Sequence, residues 1–510
     1  MTRALAAGAA ALAIALGAAA CGGDDEGADV PASASLAPAD APVFGEATVR
    51  PEGDEAEAAE SALSKLLNTD DPGGFLVEQI DTQLTEDDTG ITYSEDIEPW
   101  LGQEAGLFFT TFADEPDGAA VVEVTDEAAA QATVEKVEQA EGSRGTDESY
   151  EGVDYTVYEG DSAVGFVDSF LVAGTEAGFR DAVDASNGES LADDDTYADE
   201  IATAPDDSLA TLYADVPSVL DRLVEDGEIT DRQRQETTER VGAPLQGPAL
   251  AALTAAEDNL AFQVAGQAGD TPEPEESPFL REVPADSWLA FGVDNVGEHL
   301  GDSLQDLEVS NGYAQIDIDE ATEELLGTGL SELTSWIGDV GGYASGTSIF
   351  GLGTALELET TDEDASASML DSLQRSLSQI RSLRIEPLEG DEPGFTVSPS
   401  DAPVQIVVVQ REGRVVAGLG EKSIDAVLEP DETLDSSDAF GSATDALGDD
   451  FAASFFLDFE PMLELFESVG ADDDPDFQSA QPYLDHLDYV VTGQRREGDR
   501  NVMRLVLGLR

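Results

Sequence analysis

Cysteine and basic residues are the scarcest features of this sequence. Among 510 residues there is one cysteine, and 22 lysines and arginines stand against 111 aspartates and glutamates, for a formal net charge of −89. A single cysteine excludes a disulfide within the chain, so the fold must rely on its hydrophobic cores. The lack of positive charge excludes nucleic-acid binding, because a nucleic-acid partner requires a basic surface that releases counterions.

Histidine is nearly as rare. The two histidines, His299 and His486, have no cysteine or second histidine at metal-ligand spacing. We therefore expect no zinc site, no Cys–His nucleophile and no cofactor, and interpret both as ordinary surface residues. The glycine-rich residues 413–423 have Leu419 where a phosphate-binding loop needs its lysine. This segment is interpreted as a turn between a strand and a helix.

The acidic residues are spread over the whole chain, which indicates a solvated, soluble surface. The alternative is a sink for divalent cations or a docking face for a basic partner. Two acidic clusters, at residues 193–195 and 472–474, lack the alternating ligands and glycine turn of a calcium loop, so we expect no metal site there. A pair of carboxylates could serve a glycosidase, but with 111 acids no single pair can be selected from the sequence.

The amino terminus carries a targeting pattern. Arg3 precedes an unbroken run of small apolar residues at 4–20, which ends directly before Cys21. Such a run suits a secretory signal better than a membrane span. Its end resembles the lipobox of bacterial lipoproteins, in which the cysteine is acylated and becomes the mature amino terminus. The alternative is a plain signal peptide with an incidental cysteine.

From this resemblance we predict a lipoprotein signal peptide at residues 1–20 and a flexible tether at residues 21–35. The lipid attachment residue is Cys21, modified by diacylglyceryl and palmitate. Two or more acyl chains would hold the protein stably, whereas one chain binds only marginally. The expected location is the extracytoplasmic face of the cell membrane.

An internal repeat organises the rest of the chain. The motif that starts at Trp100 comes back at Trp336, an offset of 236, and Thr-Asp-Glu at residues 125–127 comes back at 361–363 with the same offset. Ala173-Gly174 recurs as Ala417-Gly418 at an offset of 244. The sequence therefore predicts a tandem duplication, with a few extra loop residues in the second copy.

The repeated order of strand, cap and helix predicts an α+β fold. We expect two homologous halves, each an antiparallel sheet with helices packed on one face. The first half covers residues 36–266 and the second residues 279–510. Between them, residues 267–278 are rich in proline and glutamate and form the predicted linker. Thr125-Asp126 and Thr361-Asp362 are predicted to cap the helices that follow them.

Trp100 and Trp336 could serve structure or binding. A large aromatic residue ahead of glycines most often fixes a loop onto a core, because glycine permits a tight backbone. The alternative is that both tryptophans face a shared binding groove.

In its order of lipoprotein signal, strand start near Pro38, Trp100-Leu101-Gly102 and Ala173-Gly174, the chain resembles the bacterial domain of unknown function 3352. This family implies no activity and no site residues. We expect a non-enzymatic binding or structural protein of the cell envelope, anchored to the membrane and with an apolar ligand or a basic protein as possible partner. The alternatives are a carrier of lipid or another apolar ligand and a hydrolase that uses carboxylates alone.

Overall fold

The computed structural model describes residues 30–86, 90–113, 115–142, 144–269, 273–297, 308–310, 315–317, 335–390, 392–400 and 404–510. The predicted signal peptide, Cys21 and His299 lie outside these residues. The chain divides into two compact units. The first consists of Met1–Thr271, Arg496–Met503 and Leu509–Arg510, and the second of Pro272–Arg495 and Arg504–Gly508. The division after Thr271 lies inside the segment predicted as a linker, whereas the assignment of carboxyl-terminal residues to the first unit has no signal in the sequence.

The first unit contains an antiparallel sheet. Its strands are β1 (Val43–Thr48), β2 (Leu101–Phe109), β3 (Gly118–Val124), β4 (Thr146–Tyr150), β5 (Val153–Tyr158), β6 (Ser162–Val167), β7 (Phe170–Thr175), β8 (Ser208–Asp215), β9 (Pro248–Ala256) and β10 (Asn259–Gln267). They pair in the order β4-β5-β6-β7-β3-β2-β1-β8-β9-β10. Strand β1 therefore lies inside the sheet between two strands that are distant in sequence.

The second unit is built in the same way. Its strands are β11 (Ser287–Val293), β14 (Ile337–Ser345), β15 (Gly353–Thr360), β16 (Leu383–Pro387), β17 (Gly394–Pro399), β18 (Ile406–Arg411), β19 (Arg414–Leu419), β20 (Ala452–Asp458) and β21 (Leu487–Glu497). They pair in the order β16-β17-β18-β19-β15-β14-β11-β20-β21. A separate two-stranded pair joins β12 (Glu308–Ser310) to β13 (Gln315–Asp317), and β22 (Arg500–Leu509) is the last strand.

Helices occur in the described part of both units. The first unit has α1 (Gly53–Leu66), α2 (Pro72–Glu86), α3 (Glu127–Glu141), α4 (Glu176–Asn187), α5 (Asp195–Ile201), α6 (Val216–Glu225) and α7 (Asp231–Val241). The described part of the second has α8 (Pro278–Glu282), α9 (Glu363–Leu377), α10 (Glu421–Leu428), α11 (Asp438–Leu447), α12 (Phe459–Ser468) and α13 (Pro475–Leu484). A 3₁₀ turn at Ala32–Leu36 precedes the first sheet. The α+β class predicted from the sequence is confirmed.

Both faces of the first sheet are covered. Neighbouring residues on β3 point to opposite sides, as the pleat requires. Val121 belongs to a core that includes Phe179 of α4, and Val122 belongs to a second core that includes Val134 of α3. Helices therefore pack on both faces of this sheet, whereas the sequence led us to expect one, because period-two apolar runs do not show how many faces are buried.

The two units share strand order and also strand register. In the first, Pro38 bridges Ser190, and in the second, Pro284 bridges Thr433 at the matching point of the order. Residues that occupy the same place in the two sheets differ in number by a constant within each strand. The difference is 246 between β1 and β11, 236 between β3 and β15, and 244 between β7 and β19. Common ancestry of the halves stays a prediction, and the shared register defines which positions of the two units match.

Candidate functional site

The repeated tryptophans are structural in each unit. Trp100 and Trp336 are buried, with 5% and 4% of their surface exposed, in the cores of their own units. The amide of Thr125 donates to the carbonyl of Trp100 over 2.8 Å, and that of Thr361 donates to the carbonyl of Trp336 over 2.7 Å. These contacts fix the start of a strand to the start of the following helix. The interpretation as loop-fixing aromatics is the one that this geometry supports.

The glycine two residues after each tryptophan makes room for a glutamate. A Cβ atom at Gly102 would collide with Glu123, and one at Gly338 would collide with Glu359. Each glutamate accepts a hydrogen bond from the next backbone amide, over 2.8 Å from Gln103 and 3.2 Å in the second unit. The Trp-x-Gly motif therefore encodes a strand irregularity held by a carboxylate.

In the described part of the second unit, a fully buried glutamate is paired with a partly buried arginine. Glu357 on β15 has none of its surface exposed. Its Oε2 lies 2.9 Å from Nη1 of Arg414, and Nη2 of the same arginine lies 2.8 Å from Oε2 of Glu282. The guanidinium also sits 4.6 Å from the ring centroid of Phe279. One cation thus serves two carboxylates and an aromatic ring.

Burial dominates the electrostatics of this cluster. It raises the pKa of Glu357 to about 7, although the charge of Arg414 and its hydrogen bond lower it. Oε1 of Glu357 has no hydrogen-bond partner among the described residues. Gly341 lies opposite Glu357 on β14, and a Cβ atom there would collide with Phe279 of α8. The glycine therefore lets α8 approach the sheet and close over the acid.

The first unit has a different acidic site, on β1 and β2. Glu46 lies opposite Thr211 in the sheet and accepts a hydrogen bond from its hydroxyl over 3.2 Å. Burial, and next the charge of Glu104, raise the pKa of Glu46 to about 7. The carboxylate of Glu104 accepts hydrogen bonds from the backbone amides of Ser33 and Ala32, over 2.6 and 3.2 Å. The pair thus lies beneath the 3₁₀ turn at Ala32–Leu36.

Two tyrosines extend this polar region into the core. Tyr197 of α5 packs edge-on against Tyr213, with ring centroids 5.1 Å apart, and against Phe44 at 5.8 Å. Its hydroxyl has no hydrogen-bond partner among the described residues. Burial, followed by the charge of Glu46, raises the pKa of Tyr197, so this hydroxyl stays protonated.

Two open concavities are separate from these acids. The one in the second unit, about 690 Å³, is lined by Asp286, Asp425, Glu429, Asp431, Glu432, Lys422, Pro284, Ala285, Ala426 and Pro430. The one in the first, about 500 Å³, lies between α3 and β4–β6, and its lining includes Glu138, Asp147, Tyr155 and Phe166. Neither lining contains Glu46, Glu104 or Glu357.

The acidic clusters singled out in the sequence cap helices. Asp194 accepts from the amide of Tyr197 at the start of α5, and Asp474 accepts from that of Asp476 at the start of α13. In the described part of the chain no group of three or more acids, histidines or cysteines is placed to hold a metal ion. His486 follows α13 and is half-buried, and residues 413–423 form the end of a strand and the start of a helix, as predicted.

The buried carboxylates themselves were missed in the sequence. Glu357 and Arg414 are 57 residues apart, and nothing distinguishes them locally among 133 charged residues, 22 basic and 111 acidic. The signal that could have found them is the repeat. It places Glu357 at the position of Val121 and Arg414 at the position of Phe170, so a charged pair replaces two apolar residues.

The fold and the sites together define the class of protein. It is an α+β protein with antiparallel sheets, and its buried carboxylates form hydrogen bonds and ion pairs with other groups of the same chain. Residues 4–488 match the family described as Protein of unknown function (DUF3352). The chain belongs to this family, as the resemblance predicted. No curated protein matches the sequence.

Among solved structures, three crystal forms of TP0453 are similar to the chain. Forms III, IV and I are 12%, 11% and 10% identical, cover 47%, 46% and 48% of this chain and 80%, 81% and 81% of theirs, and have TM-scores of 0.22, 0.25 and 0.23. A likeness of this size carries no argument about function. No helix among the described residues is long and apolar enough to cross a membrane.

Proposed function

We propose that this protein is a non-enzymatic binding or structural protein of the cell envelope, held at the extracytoplasmic face of the membrane by a lipid on Cys21. The apolar run at residues 4–20 and its end at the only cysteine support the anchor. The strongly acidic composition supports a soluble protein body that anionic headgroups repel. Attachment to the membrane therefore depends on the lipid and on a part of the protein surface that carries no charge.

The observation that carries the non-enzymatic part is that Glu46 and Glu357 lie apart from the two concavities in the described part of the chain. A catalytic acid needs both a shifted pKa and access to a substrate. Glu46 and Glu357 have the shift, but neither lines either concavity. A carboxylate hydrolase would need an acid pair in a cleft, whereas Glu104 binds the backbone of the first turn.

A basic protein segment is the partner whose charge fits the second unit. Five carboxylates and a single lysine line its concavity, and the space is large enough for several side chains. Attraction there would be long-ranged at low salt and screened at high salt. Titration with a lysine-rich peptide at increasing ionic strength measures this part of the proposal.

An apolar ligand is the alternative, and one face of the second sheet favours it. Phe291 lies beside Phe455 on that face, and Leu356 lies two strands away in the same row. Leu356 and Val293 are 42% and 47% exposed. Native mass spectrometry of protein extracted from membranes distinguishes the two hypotheses, because a carrier retains a lipid of defined mass.

The anchor is tested with Cys21→Ser. Cells that express the parent chain and the variant are fed an alkyne-tagged fatty acid, and the protein is fractionated and labelled. We expect the parent to carry the tag and to sediment with membranes, and the variant to lose the tag. The matched control is Gly22→Ser, which changes the next residue and should keep both tag and location.

An untagged parent chain, or a tag that survives in Cys21→Ser, contradicts the anchor. Mass spectrometry of the amino-terminal peptide then identifies the true start of the mature chain. If Cys21 is not acylated, the peptide titration and the lipid analysis still test the binding role.

A further inference from the structure

The hairpin between β14 and β15 is the part of the described surface where apolar side chains are most exposed. At its tip, Phe350 is fully exposed, at 103% of its reference surface, and Ile349 is 60% exposed. Exposure of two large neighbouring apolar side chains is costly in water unless something covers them. The tip is therefore a candidate contact surface.

The hairpin also lacks charge. No charged residue occurs at positions 340–356, whereas a chain with 26% charged residues would place about four among seventeen positions. The matching hairpin of the first unit, residues 110–117, contains three acids: Asp114, Glu115 and Asp117. An uncharged tip can approach a negatively charged surface that the rest of this acidic protein would avoid.

The base of the hairpin is firmly held. The indole of Trp288 donates to the carbonyl of Gly346 over 3.0 Å, and the hydroxyl of Thr354 donates to the carbonyl of Tyr343 over 2.8 Å. Gly346 has φ +87°, which suits glycine and turns the chain into the tip. Because the base of the hairpin is held, the tip loses little conformational entropy when its apolar side chains make a contact.

The size of the apolar tip argues for a bilayer over a protein. Two side chains offer roughly 300–400 Å², whereas a stable protein interface needs about 800 Å² from each partner. A bilayer interface requires no shape complementarity, and burial of one phenylalanine there is enough to raise partition about tenfold.

We propose that Ile349 and Phe350 insert into the headgroup boundary of the lipid surface to which the protein is anchored, as a second contact that orients the second unit. The proposal rests on the proposed function, because the anchor is what brings the hairpin to a membrane.

A thiol at the tip tests the insertion. Acylation of Cys21 would leave Phe350→Cys as the only free thiol, which is labelled with an environment-sensitive fluorophore on protein reconstituted into phosphatidylcholine–phosphatidylglycerol vesicles. We expect a blue shift of the emission on vesicles relative to detergent-free buffer. Glu115→Cys, in the exposed hairpin of the first unit, is the control and should show no shift. Equal spectra at the two positions overturn the proposal.

Binding without the anchor tests the same contact independently. In the full chain with Cys21→Ser, Phe350→Asp should lower partition into the same vesicles about tenfold. Phe466→Asp, a change at a helix residue that is 41% exposed, should leave it within about twofold of the Cys21→Ser chain. Unchanged partition in Phe350→Asp overturns the contact. If that variant instead turns a dimer into a monomer in sedimentation velocity, a second copy of the chain covers the tip and the lipid proposal is wrong.

Failure of the anchor is distinguishable from failure of this inference. An unacylated Cys21 takes up a second fluorophore, which mass spectrometry counts directly. The labelling is then repeated in Cys21→Ser, and the spectra still report whether position 350 meets lipid.

Discussion

The two units share a strand order, but several matching positions are polar in one unit and apolar in the other. Where the second unit has a charged cluster of buried Glu357, partly buried Arg414 and exposed Glu282, the matching positions of the first are apolar and buried. The matched pairs are Val121 and Glu357, Phe170 and Arg414, and Leu36 and Glu282. The three first-unit residues are 0%, 5% and 1% exposed. The same place in the sheet therefore accepts an apolar set or a compensated charged set, and the residues differ as a group.

The reverse exchange occurs on the strand next to it. The matched pairs here are Glu46 and Gly292, Thr211 and Ser454, Tyr197 and Phe440, and Tyr213 and Phe456. The edge-on ring pair survives in both units, at 5.1 Å and 83° in the first and 5.3 Å and 86° in the second. Packing geometry is retained, while the two tyrosine hydroxyls and the carboxylate are not. The same ring packing thus accommodates either set of side chains.

The largest effect is expected from breaking the charged cluster. Arg414→Phe installs the first-unit residue but leaves Glu357 buried without its cation, which should destabilise the second unit by about 3–5 kcal/mol. Hydrogen exchange of peptides from each unit, followed by mass spectrometry in denaturant, reports this unit separately.

The matched control completes the exchange. Glu282→Leu, Glu357→Val and Arg414→Phe together copy the first unit, and this triple variant should return to within about 1 kcal/mol of the parent or exceed its stability, because buried ion pairs are often replaceable by apolar residues. A single variant as stable as the triple one would mean that the buried acid needs no counter-charge.

A smaller, pH-dependent effect is expected at Glu46. Its pKa is raised from 4.5 to about 7 in the folded state. Between these values the folded chain binds more protons than the unfolded chain, so this residue lowers stability as pH rises through that window. Glu46→Gln removes the penalty and should stabilise the first unit by up to about 3 kcal/mol above pH 7. Below pH 4.5 it should change little.

Denaturant unfolding at a series of pH values measures this difference. Glu386→Gln removes a carboxylate from an exposed position of β16 and serves as the control. The gain in Glu46→Gln should grow with pH, whereas the control should follow the parent. A gain that is independent of pH would assign the effect to packing.

Local features of this fold could be predicted from the sequence. The helices after Thr125 and Thr361 begin where the Thr-Asp pairs indicated, since Asp126 and Asp362 each accept from the third residue after them. Strand β4 was missed because its five residues, Thr146–Tyr150, are polar and largely exposed, with no apolar alternation to mark them. The strand order was also beyond the sequence, because β1 pairs with strands that follow it by more than fifty and more than one hundred and fifty residues.

The acidic sites could not be predicted for a related reason. A buried carboxylate is defined by what surrounds it, and its neighbours here come from distant strands. Composition worked against detection, since 111 acids conceal the few that are buried. The repeated tryptophans were found because they lie in a local sequence motif. Substitutions at these two tryptophans are expected to give the smallest difference in stability.

The two tryptophans differ in the hydrogen bonding of the indole nitrogen. The indole of Trp100 donates to the hydroxyl of Thr133 over 3.1 Å and to the carbonyl of Asp96, whereas the indole nitrogen of Trp336 has no partner among the described residues. Trp100→Phe and Trp336→Phe remove similar ring area from buried sites, so the lost volume largely cancels between them. The first variant should therefore lose about 1–2 kcal/mol more than the second, because it alone gives up a satisfied donor.

Hydrogen exchange of each unit in both variants measures that difference, and the matched position in the other unit is its internal control. In Trp336→Phe, removal of the indole N–H should cost almost no stability, because a buried donor without a partner already costs the folded state free energy. Equal losses in the two variants would mean that the indole of Trp336 finds an acceptor in solution. The two units would then hold their repeated tryptophans by the same kind of polar contact.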